Sequence, residues 1–432
     1  MSKLRSAVKA LIPRSLFRKV EPYGHLVEAV LMNIRYGFPA RGLHVIGVTG
    51  TNGKTTTSFM IHQMLVEAGY DVALMSTVAN GVGRNITPQV AHMTTISSPQ
   101  LLKSIRAFKK QGAKWLVLET TSHALAQHRV WGVPYEIAVM TNVTHEHLDY
   151  HGTFEHYVQA KAELFRVAAR HGHRFGVINA DDPSAKVFQA AIGRSVTYGL
   201  THGDARATAV ELRPNGSHYR VVIGEDELSI TCNIPGEFNV YNSLAAVCVG
   251  RELGLSPQQI TDGIAALKGV EGRMDTIDEG QKFSVVIDFA HTPDSFERLL
   301  GDLRKATSGK LVVMFGSAGR RDESKRAIQG EIAGRYADEV VITEEDDRDI
   351  DGQAIMAEIE KGAKKAGKTT GQDLFLVHDR SEAIRLAISR VKHANDAVLL
   401  LGKGHEKTIE RSDGEHPWDE AAEVRKALRD IG

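Results

Sequence analysis

The chain has 432 residues, enough for two or three domains with sizeable cores. Its 53 basic and 53 acidic residues cancel, which argues against a nucleic-acid-binding surface. No apolar stretch approaches the ~20 residues that span a bilayer, and the two cysteines, Cys232 and Cys248, sit in apolar settings that suit neither a disulfide nor a metal site; a cytoplasmic globular protein is the expectation.

Residues 1–42 form a short basic N-terminal segment. Ahead of Glu21 stand Lys3, Arg5, Lys9, Arg14, Arg18 and Lys19 with no acid, and Leu4, Val8, Leu11 and Ile12 can form an apolar stripe. Two readings are open: a basic amphipathic helix on anionic lipid, or, the favoured one, a helix packed on the next domain with a solvated basic face.

The apolar run Leu43–Val48 reads as a buried strand. It leads into Gly50-Thr51-Asn52-Gly53-Lys54-Thr55-Thr56, and Met60, Ile61, Met64, Leu65 and Ala68 then recur at helical spacing. Strand, glycine loop and helix N-terminus is the context of a phosphate-binding loop. Backbone N–H groups turn inward, the helix end adds partial positive charge, lysine adds a full one, and a threonine hydroxyl can reach magnesium. The common form has glycine where this chain has Val48.

Further apolar runs at Trp115–Leu118, Ile137–Met140 and Phe175–Ile178 alternate with helical patterns, predicting an α/β fold with a mostly parallel sheet. From Ser195 to Ile234 short alternating strands, Tyr219–Ile223 and Leu228–Cys232, flank turn residues and predict a small antiparallel addition. A helix is expected from about Val240 to Leu253. A second, Rossmann-like α/β series follows, with strands Val285–Phe289, Leu311–Phe315, Val340–Thr343, Leu374–Val377 and Ala397–Leu401. The expected domains are 43–269 and 270–432.

Polar clusters gather just after these strands, where open parallel sheets bind ligands. They are Glu119; Asn142, His145 and His147; Asp288 and His291; Gly316–Arg321; Glu344–Arg348; and Gly402–Glu406.

Together these residues resemble the Mur ligases, ATP-dependent amide-forming enzymes of cell-wall precursor synthesis. The similarity is strongest to the branch that adds the third residue of the peptide stem to UDP-N-acetylmuramoyl-dipeptide. The motifs carrying it are Gly50–Thr56, Glu119–Arg129, Thr141–Gly152, Tyr157–Phe165, Val270–Met274, Asp288–Ser295 and Gly402–Glu406, in family order. The resemblance implies a P-loop-containing central domain, a C-terminal domain that binds the incoming amino acid, and an acyl-phosphate intermediate. It implies that Gly50, Thr51, Asn52, Gly53, Lys54, Thr55 and Thr56 hold ATP, with Asn239, Asn242, Arg273 and Asp288 completing the nucleotide site. Thr55, Glu119, His147 and Lys161 would organise two Mg2+ ions, Lys161 as a CO2-derived carbamate. Lys54, Lys161, His147 and Glu119 form the implied catalytic set. Thr94, Thr95, Thr121, Gln127 and Arg129 would hold the muramyl peptide, and His291, Arg321, Arg348, Gly402 and Glu406 the amino acid.

Physical logic favours the carbamate, since an ammonium cannot ligate magnesium and a carboxylate-like group can; the alternative is an exposed helix lysine. Two departures from the family stand out. The loop is reached at Gly50, so the domain that grips the uridine nucleotide in relatives is expected to be missing or replaced. Where the family has Asp-Asn-Pro-Arg, this chain has Glu345-Asp346-Asp347-Arg348. Arg348 suits a distal carboxylate, as in diaminopimelate, and the added acids suit a distal ammonium, as in lysine or ornithine. The partners implied are small molecules: muramyl peptide, amino acid and ATP, acting on a monomer with no nucleic acid. The rival readings are a folylpolyglutamate synthase-like ligase, a non-catalytic ATP-binding relic of a ligase, and a generic P-loop hydrolase.

Overall fold

A computed structural model describes residues 14–89, 96–144, 146, 148–213 and 215–431. The apolar positions expected near the start, Leu4 to Ile12, lie outside them. The chain divides into two compact units. One holds the residues up to Thr208 with Arg220–Ile230 and Tyr241–Ala266; the other holds Ala209–Tyr219, Thr231–Val240 and everything from Leu267 onward.

The first sheet contains β1 (His44–Thr49), β2 (Val72–Met75), β3 (Ala79–Val82), β4 (Asn85–Pro88), β5 (Trp115–Glu119), β6 (Tyr135–Met140), β7 (Phe175–Asn179), β8 (Ser195–Gly199), β9 (Ala205–Arg213), β10 (Gly216–Ile223) and β11 (Asp226–Cys232). Their order is β11-β10-β9-β8-β7-β6-β1-β5-β2-β3-β4. Strand β1 lies between β5 and β6, parallel to both, pairing Val48 with Glu119 and Thr49 with Met140. It is buried along nearly its whole length, which is why it reads as a continuous apolar run rather than an alternating one. Gly50, Thr120 and Thr141, the first residues after the three strands, therefore share the carboxyl edge.

Strands β2–β4 were not anticipated. Each has four residues, and β3 and β4 carry Asn80-Gly81 and Asn85, which read as loop. They pair antiparallel as a meander beyond β2. The strands expected as an antiparallel addition extend the opposite edge of this same sheet, and β9 joins β8 in parallel through Tyr198 and Ala205. The helix expected from Val240 spans Glu237–Glu252. Both cysteines are buried and free.

The second sheet contains β12 (Asp275–Thr276), β13 (Ser284–Asp288), β14 (Leu311–Phe315), β15 (Glu339–Ile342), β16 (Leu374–Leu376) and β17 (Ala397–Leu401), ordered β12-β13-β17-β14-β15-β16. All neighbours are parallel except β12 with β13. A buried ion pair pins its carboxyl edge. The Arg380 guanidinium donates to both Glu420 oxygens and to the carbonyls of Glu344 and Leu401 at 2.9 Å each, and the Trp418 indole donates to Glu420 at 2.7 Å. With every partner present, desolvating these charges is offset by hydrogen bonds; removing one would strand the other. A two-stranded ribbon, β18 (Thr408–Arg411) and β19 (Gly414–Pro417), follows.

Behind the glycine loop, helix Lys54–Glu67 packs on β1, β2 and β5 and buries His62. Burial pushes the imidazole down to about 4. The folded protein therefore holds His62 neutral where the unfolded chain protonates it near 6.5. Its contribution is fully present above that value and is lost as pH falls from 6.5 through 4, by about 3 kcal/mol. Urea unfolding at successive pH values should show this loss, and His62→Leu should flatten the slope across that window.

Candidate active site

Helix Lys54–Glu67 begins directly after β1 and the loop. Its N-cap, Gly53, has φ 81°, a conformation that costs glycine nothing and strains other residues. Close approach makes a second demand. A Cβ on Gly53 would lie 2.3 Å from Asn242 Oδ1, and one on Gly50 would lie 1.8 Å from Thr141 Oγ1. The loop is thus wedged between two side chains and laced to the residues after β6. Thr51 N donates to the Asn142 carbonyl at 2.7 Å, Asn52 N to Asn142 Oδ1 at 3.0 Å, and Thr141 Oγ1 to the Asn52 carbonyl at 2.6 Å. Asn242 also accepts from Thr57 Oγ1 at 3.2 Å.

Two lysine amines converge on one carbonyl. Lys54 Nζ donates to Gly50 O at 3.1 Å and to Thr51 O at 2.6 Å; Lys161 Nζ donates to Gly50 O at 2.6 Å. Lys161 sits on helix Phe154–Ala168, only 2 % exposed, with its amine 4.5 Å from the Tyr157 ring centroid. The exposed-lysine alternative therefore fails. Burial, then the charge of Lys54, pushes the Lys161 amine well below its ordinary range, against a smaller pull from Glu146. Tyr157 is itself fixed, its hydroxyl 3.1 Å from Thr51 Oγ1.

Glu119 ends β5 and is buried. Its Oε2 accepts from Thr55 Oγ1 at 3.1 Å, Thr77 N at 2.9 Å and Thr77 Oγ1 at 3.0 Å. Thr77 carried no sequence signal, since it follows a strand too short to be recognised. The loop, two amines, a threonine hydroxyl and a carboxylate fit a polyphosphate with a hard divalent cation. His147, Thr94 and Thr95 lie outside the described residues. Thr56 is buried in the first helical turn.

On the same carboxyl edge, Thr121 caps helix Ser122–Ala126 by accepting from Ala124 N at 3.2 Å. Gln127 is buried, and with Arg129 it borders the half-buried Tyr150, whose phenol burial pushes upward. The Tyr150 ring lies tilted against His123 with centroids 4.4 Å apart, and His151 Nε2 lies 3.1 Å from Ser122 Oγ. These side chains lie within the Glu119–Arg129 and Thr141–Gly152 motifs.

In the second unit, Asp288 ends β13. Its oxygens accept from Met274 N and Ala290 N at 2.8 Å each; burial raises its pKa against the opposing charge of Arg273. Arg273 lies over the Phe289 ring at 4.9 Å. Asn239 donates to the Pro235 carbonyl at 2.7 Å. His291, Arg321, Arg348, Gly402 and Glu406 line one cavity of about 610 Å³, together with Lys325, Glu345 and Asp346. Buried Lys403 bridges Asp346 at 2.9 Å and Glu406 at 2.7 Å. Arg348 holds φ 57°, in the left-handed region, and donates to Glu410 Oε2 at 2.7 Å. Burial pushes Glu345 upward against Lys325 and His291. Lys403 lies inside the Gly402–Glu406 motif, whereas Lys325 lies outside every motif of the sequence.

A phosphate-binding loop with paired lysines in one unit and a polar cavity in the other mark a nucleotide-dependent enzyme, and the comparisons give its class as an ATP-dependent ligase. Residues 48–250 match the Mur ligase middle domain and 272–404 the Mur ligase, glutamate ligase domain. The chain is 40% identical over 425 residues to a UDP-N-acetylmuramyl-tripeptide synthetase of Roseiflexus sp., covering 95% of this chain and 83% of the relative. It is 37% identical over 418 residues to a UDP-N-acetylmuramoyl-L-alanyl-D-glutamate--2,6-diaminopimelate ligase of Geobacillus thermodenitrificans, covering 95% and 84%. A solved structure of a ligase of that second name superposes with TM-score 0.69 at 34% identity, over 91% of this chain and 79% of the other. The folylpolyglutamate synthase of Mycobacterium tuberculosis superposes with TM-score 0.67 at 17% identity, over 87% and 91%, a likeness of fold alone. The chain belongs to the Mur ligase family, ATP-dependent, ADP-forming amide ligases of peptidoglycan precursor synthesis.

Gly53→Ala adds a methyl group where Asn242 stands and forces alanine into a left-handed conformation. It should lower stability by about 1–3 kcal/mol and weaken ATP binding about tenfold or more, read by thermal unfolding and by nucleotide titration.

Proposed function

We propose that this ligase adds a diamino acid to UDP-N-acetylmuramoyl-dipeptide or a related muramyl peptide through an acyl phosphate. The observation that carries the reading is the convergence of Lys54 and Lys161 on Gly50, one strand away from buried Glu119. The names of the relatives above 35% identity support the substrate class; the folate rival has only a likeness of fold behind it. Residues 43–269 then act as the ATP-binding domain and 270–432 as the amino-acid domain.

When bound, ATP with magnesium supplies the phosphoryl group that activates the acceptor's carboxylate. Lys54 and the loop from Gly50 to Thr56 neutralise phosphate charge, which carries most of the work in phosphoryl transfer. Thr55, Glu119, His147 and a carbamate on Lys161 would hold the cations, chiefly through oxygen. Asn239, Asn242, Arg273 and Asp288 serve the nucleotide. Thr94, Thr95, Thr121, Gln127 and Arg129 orient the muramyl peptide. His291, Arg321, Arg348, Gly402 and Glu406 hold the amino acid whose amine attacks the activated carbonyl, with phosphate leaving.

The burial of Lys161 supports the carbamate chemically. Only a neutral amine attacks CO2, and burial beside Lys54 favours the neutral form. Lys161→Ala should abolish ligation, with partial rescue by short carboxylates; full activity without rescue would remove the carbamate.

ADP release measured with the muramyl dipeptide and a panel of diaminopimelate, lysine, ornithine, alanine and glutamate should require the peptide and one diamino acid. Lys54→Ala should reduce that release by about 10²-fold or more. Release that depends on a folate and glutamate, or that proceeds with no amino acid present, would overturn the proposal.

A further inference from the structure

Helix Arg14–Tyr36 is anchored on one side and bare on the other. Ala29 and Asn33 are buried, and the helix packs on helix Ser98–Lys110. Asn33 Nδ2 donates to the Trp131 carbonyl at 3.0 Å. The opposite face carries Tyr23, Val27, Leu31 and Ile34, exposed by 67%, 58%, 55% and 61%. Among the described residues these are four of the six large apolar side chains that stand exposed. Their spacing puts them within an arc of about 80° over a length of about 16 Å. They form a stripe rather than scattered exposure, which asks for an occupant.

Charge identifies that occupant. The sequence running into the stripe carries Lys3, Arg5, Lys9, Arg14, Arg18 and Lys19 and no acid before Glu21, in a chain whose total charge is zero. An apolar stripe preceded in the sequence by a run of cations suits the interface of an anionic bilayer, where apolar side chains sink to the acyl boundary and cations meet lipid phosphates. We infer that this face seats the protein on an anionic membrane surface. No helix among the described residues is long and apolar enough to cross a bilayer, so the contact is peripheral.

Flotation of the full chain with vesicles tests this. The protein should rise with phosphatidylcholine vesicles containing phosphatidylglycerol and stay behind with pure phosphatidylcholine. Binding should weaken between about 0.1 M and about 1 M salt, as the Debye length falls from about 10 Å to about 3 Å. The double variant V27E/L31E, at exposed positions away from the ligase site, should lower the bound fraction about tenfold or more, with unchanged thermal unfolding and ADP release. Failure to float, equal flotation on neutral vesicles, salt-insensitive binding, or an undiminished double variant each overturns the inference. So does self-association abolished by the double variant without vesicle binding, which would make the stripe a contact between copies.

Discussion

A lysine amine buried against the carbonyl of Gly50 is the constraint around which the phosphate loop is arranged. Desolvation penalises its charge, and Lys54, sharing the same carbonyl, penalises it again. The site is therefore frustrated as it stands. It is relieved by groups that bring negative charge, whether phosphate oxygens at the loop or a carboxylate formed on the amine. The surrounding lattice of hydrogen bonds from Thr51, Asn52, Thr141 and Asn142 prevents the loop from escaping that strain by moving. Preorganisation of this kind places cations before the charge they stabilise arrives.

Much of the fold could be read from the sequence because its central strands are buried on both faces. β1, β5, β6, β14 and β17 are runs of apolar residues with little competing pattern, and their ends fall within one or two residues of the expected positions. β2–β4 escaped because short edge strands draw their stability from neighbours rather than from periodicity. The same distinction governs the site. Loop residues announce themselves through glycine and lysine at fixed offsets. Thr77 meets Glu119 from 42 positions away, and Lys403, besides its near neighbour Glu406, reaches Asp346 57 positions away. Nothing local to either residue encodes that pairing.

The second unit's cavity mixes charge in a way a list of residues could not foresee. The acids gained by Glu345-Asp346-Asp347 are not free carboxylates awaiting a cation. Asp346 is held by Lys403, Asp347 by His378 at 2.8 Å, and Glu345 is buried among Lys325 and His291. Arg348 bends back to Glu410. The cavity thus has internally compensated walls, so that under the proposed function selection of the amino acid would rest on geometry as much as on net charge.

Strand β17 lies between β13 and β14, and the segments following all three open at the same edge. His291, Arg321 and Gly402 come from the segments after these three neighbouring strands, and Arg348 from the segment after β15. The sheet beneath is stapled by Arg380 and Glu420, out of reach of any guest. Architecture of this sort is modular: evolution, or an engineer, can re-cut the rim for a different building block while the foundation and the energy-coupling half keep their form.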